Sequence, residues 1–243
     1  MSALRLDEIA WPSVPPRPLV LVPIGSTEQH GPHLPFDTDA AIATAVAQGA
    51  ADALERAAVG AASVVVTPAL NFGASGEHQA FAGTVSIGHE ALRFVIVELV
   101  RSLSTWAGRI VFVNAHGGNV PTLASAVPQM LGEGHDVGWL PCAAPGADAH
   151  AGRTETSLML WLRPSAVASP LPEAGATAPM AELLPKLTSG GVTAVSPTGV
   201  LGDPTGATAE EGAALLATMV ADATSRVLAH APDSRGQLAV PRP

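Results

Sequence analysis

The sequence predicts an α/β fold, a mostly parallel sheet covered by helices on both faces, and three observations carry that expectation. Short β-branched apolar runs such as LVLVPIG (19–25) and RIVFVNA (109–115) stop abruptly at Gly or polar residues, as strands buried on both faces do. Ala-rich segments opened by residues able to cap a helix lie between them, and strands that alternate with helices pair in parallel through crossovers. Hydrophobic residues make up 47% of the 243 and charged residues only 14%. That is ample material for a core and too little polarity for disorder.

Taken in order, residues 1–17 read as a Pro-rich arm, because WPSVPPRP removes backbone donors and blocks regular structure. A strand follows over 19–25. From Thr38, TDAAIATAVAQGAADALERAA reads as a helix with Thr38 or Asp39 at its cap. SVVVTPAL (63–70) is the next strand, and a Gly-rich loop leads into a helix at HEALRFVIVELVRSLSTWA. The strand at 109–115 stops at HGGN; VPTLASAVPQMLGEG is helical with Pro128 as a kink. DVGWLPC is a strand, TETSLMLWL a short helix and TAEEGAALLATMVADATSRVLAHA a long closing one. Residues 164–206 are expected to be irregular, a loop layer over the site. No internal repeat divides the chain, and one domain over 1–243 is expected.

The composition excludes several functions. The net charge is −9, with Lys186 the single lysine, so no basic patch faces a phosphate backbone and no nucleic acid is expected as partner. Cys142 is the only cysteine; it forbids an intrachain disulfide, suits a reducing compartment and reads as a small buried hydrophobe. The N-terminus lacks a long apolar segment, and no apolar run reaches the roughly 20 residues of a membrane span. A cytoplasmic protein with no membrane partner is expected. Low charge with much Ala and Val leaves few polar residues to cover a monomer, which predicts a homo-oligomer.

The chemistry concentrates where strands end, the edge at which open α/β sheets bind ligands. Glu28, His30 and Asp39 follow the first apolar run, and His116 follows RIVFVNA. In an extended segment Glu28 and His30 point the same way, and carboxylate with imidazole suits divalent Zn, Mn or Fe. Each has an ordinary alternative: Glu28 as a solvated turn residue, Asp39 as a helix cap. Asp37 is a competing carboxylate read as a cap or a support, and His33 stays outside the ligand set. In GADAHAGRTETS, His150 and Glu155 lie five residues apart, with Glu155 equally suited to a helix N-terminal dipole. No serine or cysteine sits in a GxSxG-type elbow. A non-catalytic metal-binding scaffold would need one ion in a closed ligand set.

GSTEQHGPHLPFDTD, GEHQAFAGT, NAHGGN and HAGRTETS, in this order, resemble the creatininase superfamily of metal-dependent amidohydrolases. The resemblance runs from Leu19 to GVLGDPTGATAEEG (199–212). It implies a three-layer αβα sandwich, a homo-oligomer such as a hexamer, and two divalent metal ions (Zn, Fe or Mn) per subunit. It also implies that Glu28 and His30 hold different ions, that Asp39 bridges them, and that His116 shares the ion of Glu28. Creatininase proper carries a glutamate two residues after the histidine of its NGH motif, where this chain has Gly118; Glu155 is expected to replace that ligand. Within the superfamily, PIGSTEQHGPHLP, FGASGEHQAFAGT with Phe72 in an aromatic place, and VSPTGVLGDPTGATAEEG are similar to the mycofactocin-system branch. Those peptidases release a two-residue C-terminal core from a modified precursor peptide. A small cyclic amide or formamide is the alternative substrate.

Two ions sharing a water would lower its pKa and polarise a scissile carbonyl, so no side chain need be the nucleophile. His150 is then the candidate acid/base, with a pKa range suited to protonating a leaving amine. Gly117 and Gly118 would bring backbone N–H groups to an oxyanion, and Asn119 caps the following helix or holds substrate. Ser26, Thr27 and Gln29 are expected to orient the ligands. For Glu77 and His78, on a Gly-rich loop, pocket and surface are equally open readings.

Overall fold

Alternation along the strands decides the architecture, because successive side chains of a strand face opposite sides of its sheet. The computed structural model describes residues 3–57 and 63–240. Residues 1 and 2 of the expected arm, 58 at the end of the first expected helix, and 241–243 lie outside the described residues. In β2 (Leu19–Ile24), Leu21 enters one core while Val20, Val22 and Ile24 enter the other. β4 (Arg109–Asn114) repeats this with Val111 and Val113 against Ile110 and Phe112. β5 (Val137–Pro141) does so with Leu140 against Val137 and Trp139. Both faces of these strands are therefore apolar, the pattern that only a sheet covered on both sides satisfies.

The sheet has the order β1-β3-β2-β4-β5, with β1 Leu4–Arg5 and β3 Val64–Val66, and every pairing is parallel. α1 (Thr38–Ala57), α4 (Arg153–Leu162) and α6 (Ala209–Ala229) cover one face with residues such as Val46, Leu158 and Val227. α2 (Gly88–Leu103) and α3 (Val120–Gly132) cover the other with Ile96 and Met130. This is the expected αβα sandwich. Each fully buried Leu, Ile or Phe here, Phe112 among them, contributes about 1.5–3 kcal/mol of hydrophobic free energy. β2 and β4 lie side by side in register from Leu19–Arg109 to Ile24–Asn114, so their carboxyl ends deliver the residues after Ile24 and Asn114 to the same spot.

Four expectations need correction. The arm is not free of regular structure: Leu4–Arg5 pairs with Val65 and Val66 as an edge strand. The strand expected over 63–70 ends at Val66, since Pro68 cannot donate to a ladder, and Leu70 rejoins only as a single bridge to Ile24. The region 164–206 contains a helix, α5 (Met180–Gly190), none of whose residues is buried. Pro185 inside it and the Pro-rich flanks masked it in the sequence. Finally, α6 is long and apolar enough by length and composition to cross a bilayer, contrary to the reading of the apolar runs. It instead packs on α1 and α4 and carries Glu210, Glu211, Asp222 and Arg226.

Candidate metal centre

Gly25 closes β2 where only glycine fits, because a Cβ there would overlap the backbone of Asp39 and Ala40 at the start of α1. The chain then stays extended: Glu28 N donates to Phe36 O (3.1 Å) and Val85 N to Thr27 O (2.8 Å). Glu28 and His30 are thereby held on the same side, facing the first turn of α1. Asn114 ends β4 and donates its side-chain amide to His116 O (2.7 Å), which sets His116 beyond the strand end. His150 is fixed by a two-way bridge with Leu201 (His150 N to Leu201 O 3.2 Å, Leu201 N to His150 O 2.8 Å). Glu155 stands in the first turn of α4 and accepts from Ala151 N (2.6 Å).

Four elements thus converge. Asp39 Oδ1 lies 3.0 Å from His30 Nε2 and its Oδ2 lies 3.3 Å from His116 Nδ1, with Ser26 Oγ donating to Oδ2 at 2.7 Å. Glu155 Oε2 lies 3.9 Å from His30 Nε2. Glu28 Oε1 lies 3.3 Å from His78 Nε2 and 3.6 Å from His150 Nδ1, and its Oε2 lies 3.3 Å from His116 Nε2. Three donor groups result: Glu28–Asp39–His116, His30–His150–Glu155 and Glu28–His78–His150. All of these residues except the enclosed His30 line a cavity of about 470 Å³.

Whether this donor set suits cations is tested by Glu28 itself. Both its carboxylate oxygens are buried and neither finds a hydrogen-bond partner among the described residues. Burying an ionised carboxylate without donors costs several kcal/mol, whereas a divalent ion among these oxygens and imidazoles would satisfy it. The residues present fit metal ions.

The local electrostatics agree. Burial pushes the Glu28 carboxyl up and Asp39 adds to that, yet His116 and His78 outweigh both and hold it at about 2. Burial likewise opposes ionisation of Asp39, but His30 and His116 bring it well below the usual carboxylate range. His30 is penalised by burial and rescued by Asp39 to about 10. His116 is raised well above its ordinary value against the cost of burial, by Glu28 and Asp39. His150 goes the other way: burial, then His30 and His78, push it far down. Glu155 is raised to about 7 by burial, with His30 opposing.

The Creatininase family, described as creatinine amidohydrolase, matches residues 7–227. The chain belongs to the creatininase family. A mycofactocin precursor peptide peptidase of Mycolicibacterium smegmatis is 54% identical over 221 residues, covering 91% of this chain and 89% of that one. Among solved structures, a creatinine amidohydrolase (creatininase) superposes with a TM-score of 0.70 at 25% identity, covering 91% of this chain and 95% of that one. A manganese form of creatininase gives 0.68 at 25% identity, covering 90% and 95%.

Within this creatininase fold, Glu28, His30, Asp39, His116, His150 and Glu155 come together as the sequence leads one to expect. Asp39 is not a helix cap, since its carboxylate points into the cluster. Gly117 and Gly118 line the cavity. Asn119 differs: its Oδ1 accepts from Ala74 N (3.0 Å), and its Nδ2 donates to Gly25 O (2.9 Å) and Asn114 Oδ1 (3.2 Å). That amide is consumed in tying three loops together, so it neither caps α3 nor is left to hold substrate. Thr27 donates to Asn71 O and orients no ligand, whereas Ser26 and Gln29 do touch the cluster. Asp37 directly precedes α1, its carbonyl accepting from Ala41 N (2.9 Å), and its carboxylate pairs with Arg163 at 2.6 and 2.9 Å. His33 packs inside with its Nε2 on Thr156 Oγ1 (2.8 Å). The sequence left His78 open between pocket and surface; it is buried against Glu28. The signal was its place in GEHQ, but nothing in the spacing shows that this loop folds back over the ends of β2 and β4.

Proposed function

We propose that the protein is a dinuclear metal-dependent peptidase that cleaves an amide bond in a modified precursor peptide of the mycofactocin type. It is a hydrolase of C–N bonds. The observation that carries this reading is the buried Glu28 carboxylate, whose oxygens lie 3.3–3.6 Å from three imidazoles yet make no well-formed hydrogen bond among the described residues. The peptide substrate is supported by the named activity of the 54% identical relative. Glu28 and His116 would hold one ion and His30 and Glu155 the other, with Asp39 within reach of both groups; zinc, iron or manganese suits these donors. When bound, such ions bring water toward neutral pKa and polarise a carbonyl.

The chain's own residues do the rest. The His150 Nε2 donates to Gln29 O (2.8 Å), which leaves the Nδ1 lone pair facing the cluster. With its pKa pushed down by burial, His150 is neutral at pH 7 and takes the proton released by the attacking water, then returns it to the leaving amine. Gly117 and Gly118 bring backbone to the cavity wall, where their N–H groups steady the oxyanion. α5 supplies an apolar wall through Met180, Leu184 and Leu187. The chain works as one domain, in the cytoplasm, as a homo-oligomer of hexamer type, in which the exposed Trp11, Phe94 and Trp161 are covered by neighbours.

The experiment is metal analysis of the purified protein beside a hydrolysis assay on the modified precursor peptide. Two ions per chain with chelator-sensitive release of a C-terminal fragment is the expected result. Two ions without peptide cleavage would replace the substrate by small cyclic amides or formamides, and turnover indifferent to chelation would end the metal reading. His150→Ala should keep both ions and lose roughly 10²- to 10⁴-fold in rate; loss of an ion instead would make His150 a ligand.

A further inference from the structure

Glu77 stands beside the centre without a role. It occupies a tight turn (Gly76–His78) whose backbone is fixed by His78 N on Ser75 O (3.0 Å), Ser75 N on Ser86 Oγ (2.9 Å) and Ala74 N on Asn119 Oδ1 (3.0 Å). Its neighbour His78 points at Glu28 Oε1, while Glu77, which lines the same cavity, sends its own carboxylate toward His116. There Oε1 lies 3.8 Å from His116 Nε2 and makes no hydrogen bond among the described residues. One imidazole nitrogen is therefore ringed by four oxygens: Ala74 O at 3.1 Å, Glu28 Oε2 at 3.3 Å, Ser75 Oγ at 3.4 Å and Glu77 Oε1 at 3.8 Å.

Gly118 explains how that carboxylate gets there. A Cβ at 118 would strike Ala74 O and His116 Nε2 and would sit 2.9 Å from Glu77 Oε1. Glycine thus leaves open the channel through which Glu77 approaches His116, and any side chain would close it. Charge points the same way. Two divalent ions bring four positive charges, and Glu28, Asp39 and Glu155 answer with three negative ones. A fourth carboxylate at the cavity wall balances a buried centre that cannot lean on bulk water.

We propose that Glu77 is a further carboxylate ligand of the ion held by Glu28 and His116, a proposal that rests on the dinuclear reading above. Because the Glu77 side chain is 37% exposed, against 18% for Glu155, 2% for Asp39 and 0% for Glu28, it is the ligand that exchanges most readily when substrate enters.

The test is calorimetric titration of the metal-stripped protein with Mn²⁺, together with the visible absorption of the Co²⁺-loaded form. Wild type should show two binding events. Glu77→Gln should keep one unchanged, weaken the other roughly 10- to 100-fold and shift the Co²⁺ bands, with Glu77→Asp in between. Thermal unfolding of the metal-stripped Glu77→Gln protein should match wild type, which separates loss of a ligand from loss of the turn. Two unchanged affinities with an unchanged Co²⁺ spectrum in Glu77→Gln would overturn the role of Glu77 alone. A wild type that takes up no divalent ion would overturn it together with the metal-dependent reading.

Discussion

A proton on His30 competes with a metal ion for the same nitrogen. Asp39 holds that proton to about pH 10 against the cost of burial, and Glu28 with Asp39 does the same for His116. A metal ligand must be deprotonated, so loading at pH 7 must expel these protons. Calorimetry of metal uptake in buffers of differing ionisation enthalpy should show roughly two protons released per chain at pH 7. Uptake with no release would mean that these imidazoles are not ligands. In the metal-free protein the His30 pKa is raised above its ordinary 6.5, so its stabilising effect is complete below 6.5 and fades as the pH climbs toward 10. Metal affinity moves the opposite way, rising with pH over the same window. At this scale the sequence was most informative where donor types cluster after a strand, as at Glu28, His30 and Asp39. It was least informative for His78 and Glu77, because a loop's return path depends on contacts far away in the chain.

At the scale of elements, loops carry the ligands and Asn119 decides whether they stay together. Its amide joins the Gly25 turn, the Ala74 loop and the end of β4 through three bonds in a fully buried place. Asn119→Ala leaves Ala74 N and Gly25 O without these partners, and each buried group stranded this way costs about 1–3 kcal/mol. The variant should unfold at lower denaturant concentration by that order and bind ions more weakly, measured by urea titration and metal analysis. Stability equal to wild type would show that the loops hold without it. The helices α1, α2, α3, α4 and α6 and the strands β2, β4 and β5 were legible because period and burial agree in them. α5 was not, since a helix that buries none of its residues leaves no apolar stripe against a core, and Pro185 argues against it locally.

For the whole molecule, the centre is also a clasp. Its side chains come from the ends of two adjacent strands, the start of α1, the Glu77 turn, the bridge at His150 and the start of α4, segments far apart along the chain. An ion that binds only the folded arrangement stabilises by about 2.7 kcal/mol at a hundredfold excess over its Kd. Adding a chelator should therefore lower the melting temperature measurably, and readdition of Mn²⁺ should restore it; a melting curve indifferent to both would deny the clasp. The same long span has a consequence during synthesis. β2, which pairs with both β3 and β4 near the middle of the sheet, is made before β3, β4 and β5, and Glu28 and His30 follow it at once. Glu155 comes more than a hundred residues later, on the order of ten seconds at ordinary ribosome speeds. Until then the nascent chain exposes loose carboxylates and imidazoles without the full proposed ligand set, so under that proposal a growing polypeptide would not retain the ions, and loading would wait for release of α4 from the ribosome.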